Sequence, residues 1–186
     1  MIHHFDLLAP IYDWVIPPPD PNRLKHLLRL PTPGRMLEAG GGTGRVASLL
    51  TPLVGTLVIN DVSAPMLREA QEKGTLHPAQ SYVERLPFPD SCFSRVVAID
   101  AFHHFSDHRK AIGELLRVLE SGGRLVIEEP DITRFPVKLV ALLEKLALMR
   151  SRFFSAERIQ TLVGEHGVEA HIGCMRDYAA CVVVDK

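Results

Sequence analysis

The chain is most constrained by the run Met36-Leu37-Glu38-Ala39-Gly40-Gly41-Gly42-Thr43-Gly44 and by Asp61, which closes the next hydrophobic run. A short apolar run that ends in glycines and passes into a helix-compatible stretch reads as a strand turning tightly into a helix. Glycine has no Cβ, so such a turn can take positive φ and a ligand can lie against bare backbone. An acidic residue ending the following strand can accept hydrogen bonds from a ribose diol, as nucleotide-binding α/β folds use it. The stretch between Gly44 and Asp61 holds one helix and one strand.

Several cofactors are bound at glycine turns, and the details here discriminate between them. The dinucleotide fingerprint G-x-G-x-x-G fails: counted from Gly40 its last position is Arg45, and from Gly42 it is Ala47. The glycines recur instead as Gly40-x-Gly42-x-Gly44, with Glu38 two residues ahead of the first. A carboxylate there repels a pyrophosphate and suits a ligand carrying an ammonium or sulfonium group. The pattern points to S-adenosylmethionine and away from a nicotinamide-dependent oxidoreductase.

Strand and helix patterns alternate from Arg35 onward. Strands are expected at Arg35–Ala39, Thr56–Asn60, Gln80–Val83, Arg95–Asp100 and Arg124–Glu128. Helices are expected at about 44–53, 64–73, 107–119, 137–149 and 156–166, with Ser63 as an N-cap. The continuous apolar run Val96-Val97-Ala98-Ile99 suits a parallel strand covered on both faces. Two closing strands, Val168–Ile172 and Tyr178–Val184, are linked too tightly for a crossover, so that pair is antiparallel. The expected fold is therefore α/β, a doubly wound Rossmann-like seven-stranded sheet. Strands 1–5 and one of the last pair run parallel, the final strand is antiparallel, and the ligand crevice lies at the carboxyl ends.

With 186 residues the chain suits one domain spanning 1–186. Its net charge of −1 argues against a broad nucleic-acid-binding face. The three cysteines, Cys92, Cys174 and Cys181, lack metal-ligand spacing and suggest no disulfide framework, which favours a reducing cytoplasm. No signal-peptide pattern or membrane-spanning run is visible. Pro17-Pro18-Pro19-Asp20-Pro21 sets off an N-terminal arm, residues 1–21, from the core.

In this order along the chain, several motifs resemble those of class I S-adenosylmethionine-dependent methyltransferases, small-molecule branch, including the ubiquinone and menaquinone biosynthesis enzymes. They are Leu37 to Arg45, Asn60-Asp61-Val62-Ser63 with Met66-Leu67, and Leu86-Pro87-Phe88-Pro89-Asp90 with Phe93. Phe102-His103-His104-Phe105 follows strand 4, and Arg117-Val118-Leu119 with Gly122-Gly123-Arg124-Leu125 leads into strand 5. Phe5-Asp6, Ala9 and Tyr12-Asp13 are similar to the arm of the quinone-biosynthesis branch.

The resemblance implies a cofactor site. Glu38 with the turn at Gly40, Gly42 and Gly44 would hold the methionine portion, and Tyr12 would reach its carboxylate from an arm folded over the site. Asp61 would hold the ribose, within a surround that includes Val62 and Asp100. Met66 would flank the adenine or simply fill the core. Tyr82 stands where the family carries an acid for the adenine amino group, leaving Glu84 or the backbone at Val83 to substitute. Ser94 replaces a strand-opening aspartate, a change expected to affect packing.

The implied reaction is methyl transfer to a small, apolar or phenolic, quinone-like acceptor. A non-catalytic cofactor-binding scaffold is the alternative. His103 and His104 at the crevice mouth are the candidate catalytic bases; otherwise one packs against the next helix and the other bonds a backbone carbonyl. His104 and His108 share a metal-compatible spacing without a clear third ligand, so no metal site is expected. Ile99-Asp100-Ala101-Phe102 lacks the motif that grips a flipped base, which together with the near-neutral charge argues against nucleic acid as substrate. Residues 129–154 are read as a substrate-lid insertion. Its helix, 137–149, is apolar around most of its surface and suits an acceptor lid, a homodimer contact, a peripheral membrane surface or plain core packing.

Overall fold

The computed structural model describes residues 6, 9–16, 19–146, 151–175 and 178–186. His3, His4, Phe5, Pro17, Pro18 and the end of the helix expected at 137–149 lie outside them. The elements are α1 (Tyr12–Val15), α2 (Pro21–Leu27), β1 (Thr32–Ala39), α3 (Ala47–Leu50), β2 (Val54–Asp61), α4 (Ala64–Glu72) and β3 (His77–Gln80). They continue with β4 (Phe93–Ile99), α5 (His108–Val118), β5 (Leu119–Pro130), α6 (Phe135–Leu146), α7 (Ala156–Gly164), β6 (Ala170–Met175) and β7 (Ala179–Asp185).

The strands form one seven-stranded sheet in the order β3-β2-β1-β4-β5-β7-β6. β1 to β5 pair in parallel, and β7 runs antiparallel to both β5 and β6. Because side chains alternate across a strand, each central strand feeds two cores. Leu37, Val96, Leu125 and Val182 point to one face, where α5 contributes Ile112 and Leu115 and α7 contributes Ile159 and Val163. Met36, Leu57, Val97, Val126 and Val183 point to the other, covered by Leu24 of α2, Leu50 of α3 and Leu67 of α4. Covering both faces leaves the carboxyl ends of β1, β2, β4 and β5 as the open rim.

Several local boundaries differ from the sequence reading. β3 sits at His77–Gln80, and Val83–Arg85 is a 3-10 turn. Pro78 lies inside β3, which an edge strand tolerates because one row of its hydrogen bonds faces outward. The helix after the glycine turn is cut to Ala47–Leu50, since Gly44 holds φ +74° and Pro52 follows. An extra helix begins at Pro21, capped by the Asp20 carboxylate, which accepts from Asn22 N at 3.0 Å. An aspartate before a proline is the signature of such a start. The cap at Ser63 is as expected, its hydroxyl accepting from Met66 N at 3.3 Å. Ser94 donates to Arg35 O at 3.1 Å, a packing contact between β4 and β1.

Cys174 and Cys181 face each other across β6 and β7 as a disulfide with Cα atoms 5.1 Å apart. This corrects the expectation of unpaired cysteines. Register brings the two together, and spacing along the chain carried no sign of it. The cysteine count therefore does not fix the compartment. No helix among the described residues is long and apolar enough to cross a membrane.

Candidate functional site

The turn after β1 adopts the conformation its glycines allow. Gly40 and Gly42 have φ of +71° and +55°, in the left-handed region that favours glycine. A Cβ on Gly40 would stand 2.6 Å from Ala101 Cβ, so the turn presses against the end of β4. At Gly42 the nearest atom to such a Cβ is Met66 Sδ at 3.9 Å. Bare backbone there faces the crevice, with Met66 on its wall.

Glu38 lies directly beneath, 2% exposed. Its carboxyl accepts a hydrogen bond from the backbone of Ala47, while Oε2 has no partner among the described residues. Burial pushes its pKa up to about 8, against the pull of Arg45. Asp61 ends β2 and is held rigidly, Oδ2 accepting from Gly42 N at 2.9 Å and Oδ1 from Ser63 N at 2.8 Å. Arg45, almost fully buried, pairs with Asp100 at 2.7 Å and hydrogen-bonds Tyr12. Burial raises both the Tyr12 hydroxyl and the Asp100 carboxyl, and Arg45 opposes each shift.

The arm is fastened to this turn by residues the sequence reading did not assign. Asp13 receives the Thr43 hydroxyl and pairs with Lys73, whose Nζ also donates to Thr43 O at 2.6 Å. Asp6 accepts from the Ser63 hydroxyl at 2.7 Å. Tyr12, Glu38, Gly40, Gly42, Asp61, Met66 and Asp100 thus converge on one rim, whereas a Cβ on Gly44 would meet Leu76 at 2.9 Å and Ala70 at 3.0 Å, so Gly44 serves close packing of the turn against α4. Glu84 turns elsewhere: its Oε1 accepts from Ser106 N at 2.6 Å and Asp107 N at 3.0 Å, at the start of α5. Val83 packs in the core, and Val62 O accepts from Gln80 Nε2 at 3.0 Å. Tyr82 is more than half exposed.

His103 is buried, and its Nδ1 meets Glu129 Oε2 at 2.5 Å. Glu129 also accepts from Ala101 N at 2.8 Å and Phe102 N at 2.6 Å, so one carboxylate ties down the whole turn after β4. Burial alone would lower the His103 pKa, but the charge and hydrogen bond of Glu129 outweigh it and raise it. His104 contacts Ser151 at 3.1 Å, and burial together with His103 lowers its pKa to about 3. It is therefore neutral and a weak base. His108 packs edge-on to Phe102 and Phe154. The signal for Glu129 was present as Glu128-Glu129-Pro130, two acids closing a buried strand.

α6 does not behave as core. Val137 is its one buried residue among those described, while Leu142 and Leu146 are 52% and 71% exposed. Plain core packing is thereby corrected for this helix, whose apolar side lacks an intramolecular cover among the described residues. A separate open groove of about 640 Å³ lies among Lys25, His26, Arg124 and His171, at the opposite end of β5, and holds none of these groups.

A glycine turn over a buried acid, an acid ending β2, and a sheet closed by an antiparallel β7 define the Rossmann-like methyltransferase fold. Residues 37–127 match the family described as methyltransferase domain. Over 109 residues the chain is 37% identical to the uncharacterized methyltransferase YcgJ of Bacillus subtilis, a match covering 55% of this chain and 43% of that protein. It is 39% identical over 104 residues to the demethylmenaquinone methyltransferase of Thermus thermophilus, covering 52% and 47%. The chain thus spans about half the length of these relatives or less. The crystal structure of the Bacillus YcgJ protein superposes with a TM-score of 0.73 at 27% identity, covering 83% of this chain and 70% of that one.

Proposed function

We propose that the protein transfers a methyl group from S-adenosylmethionine to a small apolar, phenolic or quinone-like acceptor. The observation that carries this is the pairing of bare backbone at Gly42 with the unpartnered Glu38 Oε2 beneath it. A backbone surface with room for a ligand and a buried acid lacking a donor together suit the cationic methionine end. Bound there, S-adenosylmethionine supplies an activated methyl group. Glu38 and the turn hold its amino-acid end, Asp61 its ribose, and Met66 offers apolar contact.

The chain's contribution is alignment and exclusion of water. Fixing two reactants in attack geometry can lower a barrier by roughly 7–11 kcal/mol. The arm, fastened through Asp13 and Asp6, closes over the turn, with Tyr12 beside Arg45. His103 is committed to Glu129 and His104 is a weak base. An acceptor that is already an enolate or phenolate fits this site better than one needing strong general-base help.

Two measurements test the reading. Asp61→Ala should weaken S-adenosylmethionine binding by roughly 1.5–3 kcal/mol, the range for hydrogen bonds to a charged group. Unchanged calorimetric affinity would rule out the assigned site. For the acceptor, Leu142 and Leu146 of α6 are read as part of an apolar lid. Replacing both with alanine should reduce turnover of apolar acceptors while stability moves by less than about 0.5 kcal/mol, as for exposed positions. A large loss of stability with normal turnover would return the helix to the core.

A further inference from the structure

The end of β4 runs into a 3-10 turn, Phe102–His104, which sets two imidazoles side by side with ring centroids 3.9 Å apart. α6 comes to the same place and carries one carboxylate, Glu144, in a helix that is otherwise apolar apart from Lys138 and Lys145. Ligand-capable atoms of His103, His104 and Glu144 all lie within 4.8 Å of one another. Glu144 Oε2 is withdrawn from solvent and accepts no hydrogen bond among the described residues. A carboxylate oxygen left so is costly unless something positive meets it.

Both rings have Nδ1 engaged, which leaves Nε2 of each as the candidate ligand atom. His103 has Nδ1 on Glu129 at 2.5 Å and its face on Phe153, with centroids 4.3 Å apart. His104 has Nδ1 on Ser151 at 3.1 Å. Imidazoles that ligate metals are held this way through their other nitrogen, most often by a carboxylate.

We infer that His103, His104 and Glu144 form a binding site for a divalent transition-metal ion of the zinc class. Two imidazoles and one carboxylate match a three-ligand zinc set that keeps a fourth position open. Magnesium and calcium call for all-oxygen surroundings instead. Donors within 4.8 Å of one another lie near the separations that bonds of roughly 2.0–2.2 Å to one shared ion require. The inference does not rest on methyl transfer, and its test needs neither cofactor nor acceptor.

The full-length protein is titrated with Co²⁺, read by its visible d–d absorption, and the ion is then displaced with Zn²⁺. One ion per chain is expected, together with a rise in melting temperature on adding Zn²⁺. Glu144→Gln and His104→Ala should each weaken binding at least about tenfold, and Glu129→Gln about 10–100-fold by releasing the His103 ring. Glu144→Gln is nearly isosteric on a largely exposed helix, so it keeps the test readable if a histidine variant misfolds. Absence of a cobalt spectrum overturns the inference, and so does binding that persists undiminished in Glu144→Gln.

Discussion

S-adenosylmethionine should bind more tightly as the pH rises, and the gain should level off above about 8, the pKa to which burial pushes Glu38. Below that value the acid is protonated in the empty site. A ligand bearing ammonium and sulfonium charge favours the carboxylate, so binding expels a proton and the affinity climbs by up to about tenfold per pH unit on the acid side. The sign for folding is opposite. A group raised from 4.5 to about 8 contributes stability that is complete below 4.5 and is lost as the pH rises through about 8. Glu38→Gln should abolish the slope and, at alkaline pH, weaken binding by roughly 1.5–3 kcal/mol. Calorimetry in buffers of different ionisation heat measures the released proton directly. A flat pH profile in the native protein would falsify the role given to Glu38.

The second large effect is on folding. His103→Ala strips a buried partner from Glu129, which also anchors the backbone of Ala101 and Phe102. Removing one member of a buried pair leaves the other charged and uncompensated, at a cost of about 3–5 kcal/mol. Denaturant unfolding of the variant should show that loss in the midpoint with little change in slope. A variant as stable as the native protein but without methyl-transfer activity would instead give His103 a direct part in the chemistry.

These expectations separate two kinds of information. The strand-turn-helix at Glu38 to Gly44, the acid at Asp61, the Ser63 cap and the antiparallel close are local patterns. Period, glycine placement and linker length set them, so the chain alone determined the fold class and the glycine turn and acid at the carboxyl ends of β1 and β2. β3 and α2 escaped because their signals conflict with habit: Pro78 sits inside a strand that edge position makes tolerable, and Pro21 starts a helix within a proline cluster.

Side-chain partnership was decided elsewhere. Glu84 had the right place in sequence for adenine, yet the neighbouring backbone amides at Ser106 and Asp107 claim it. Asp13 and Lys73 meet across the turn, Cys174 and Cys181 across a register, and Glu144 reaches the two histidines only because α6 returns to the end of β4. In each case the residues are far enough apart in the chain, or free enough in rotation, that no spacing rule binds them. Sequence set which strands and turns exist; packing of those elements against one another chose which charges meet, and so what the rim can do.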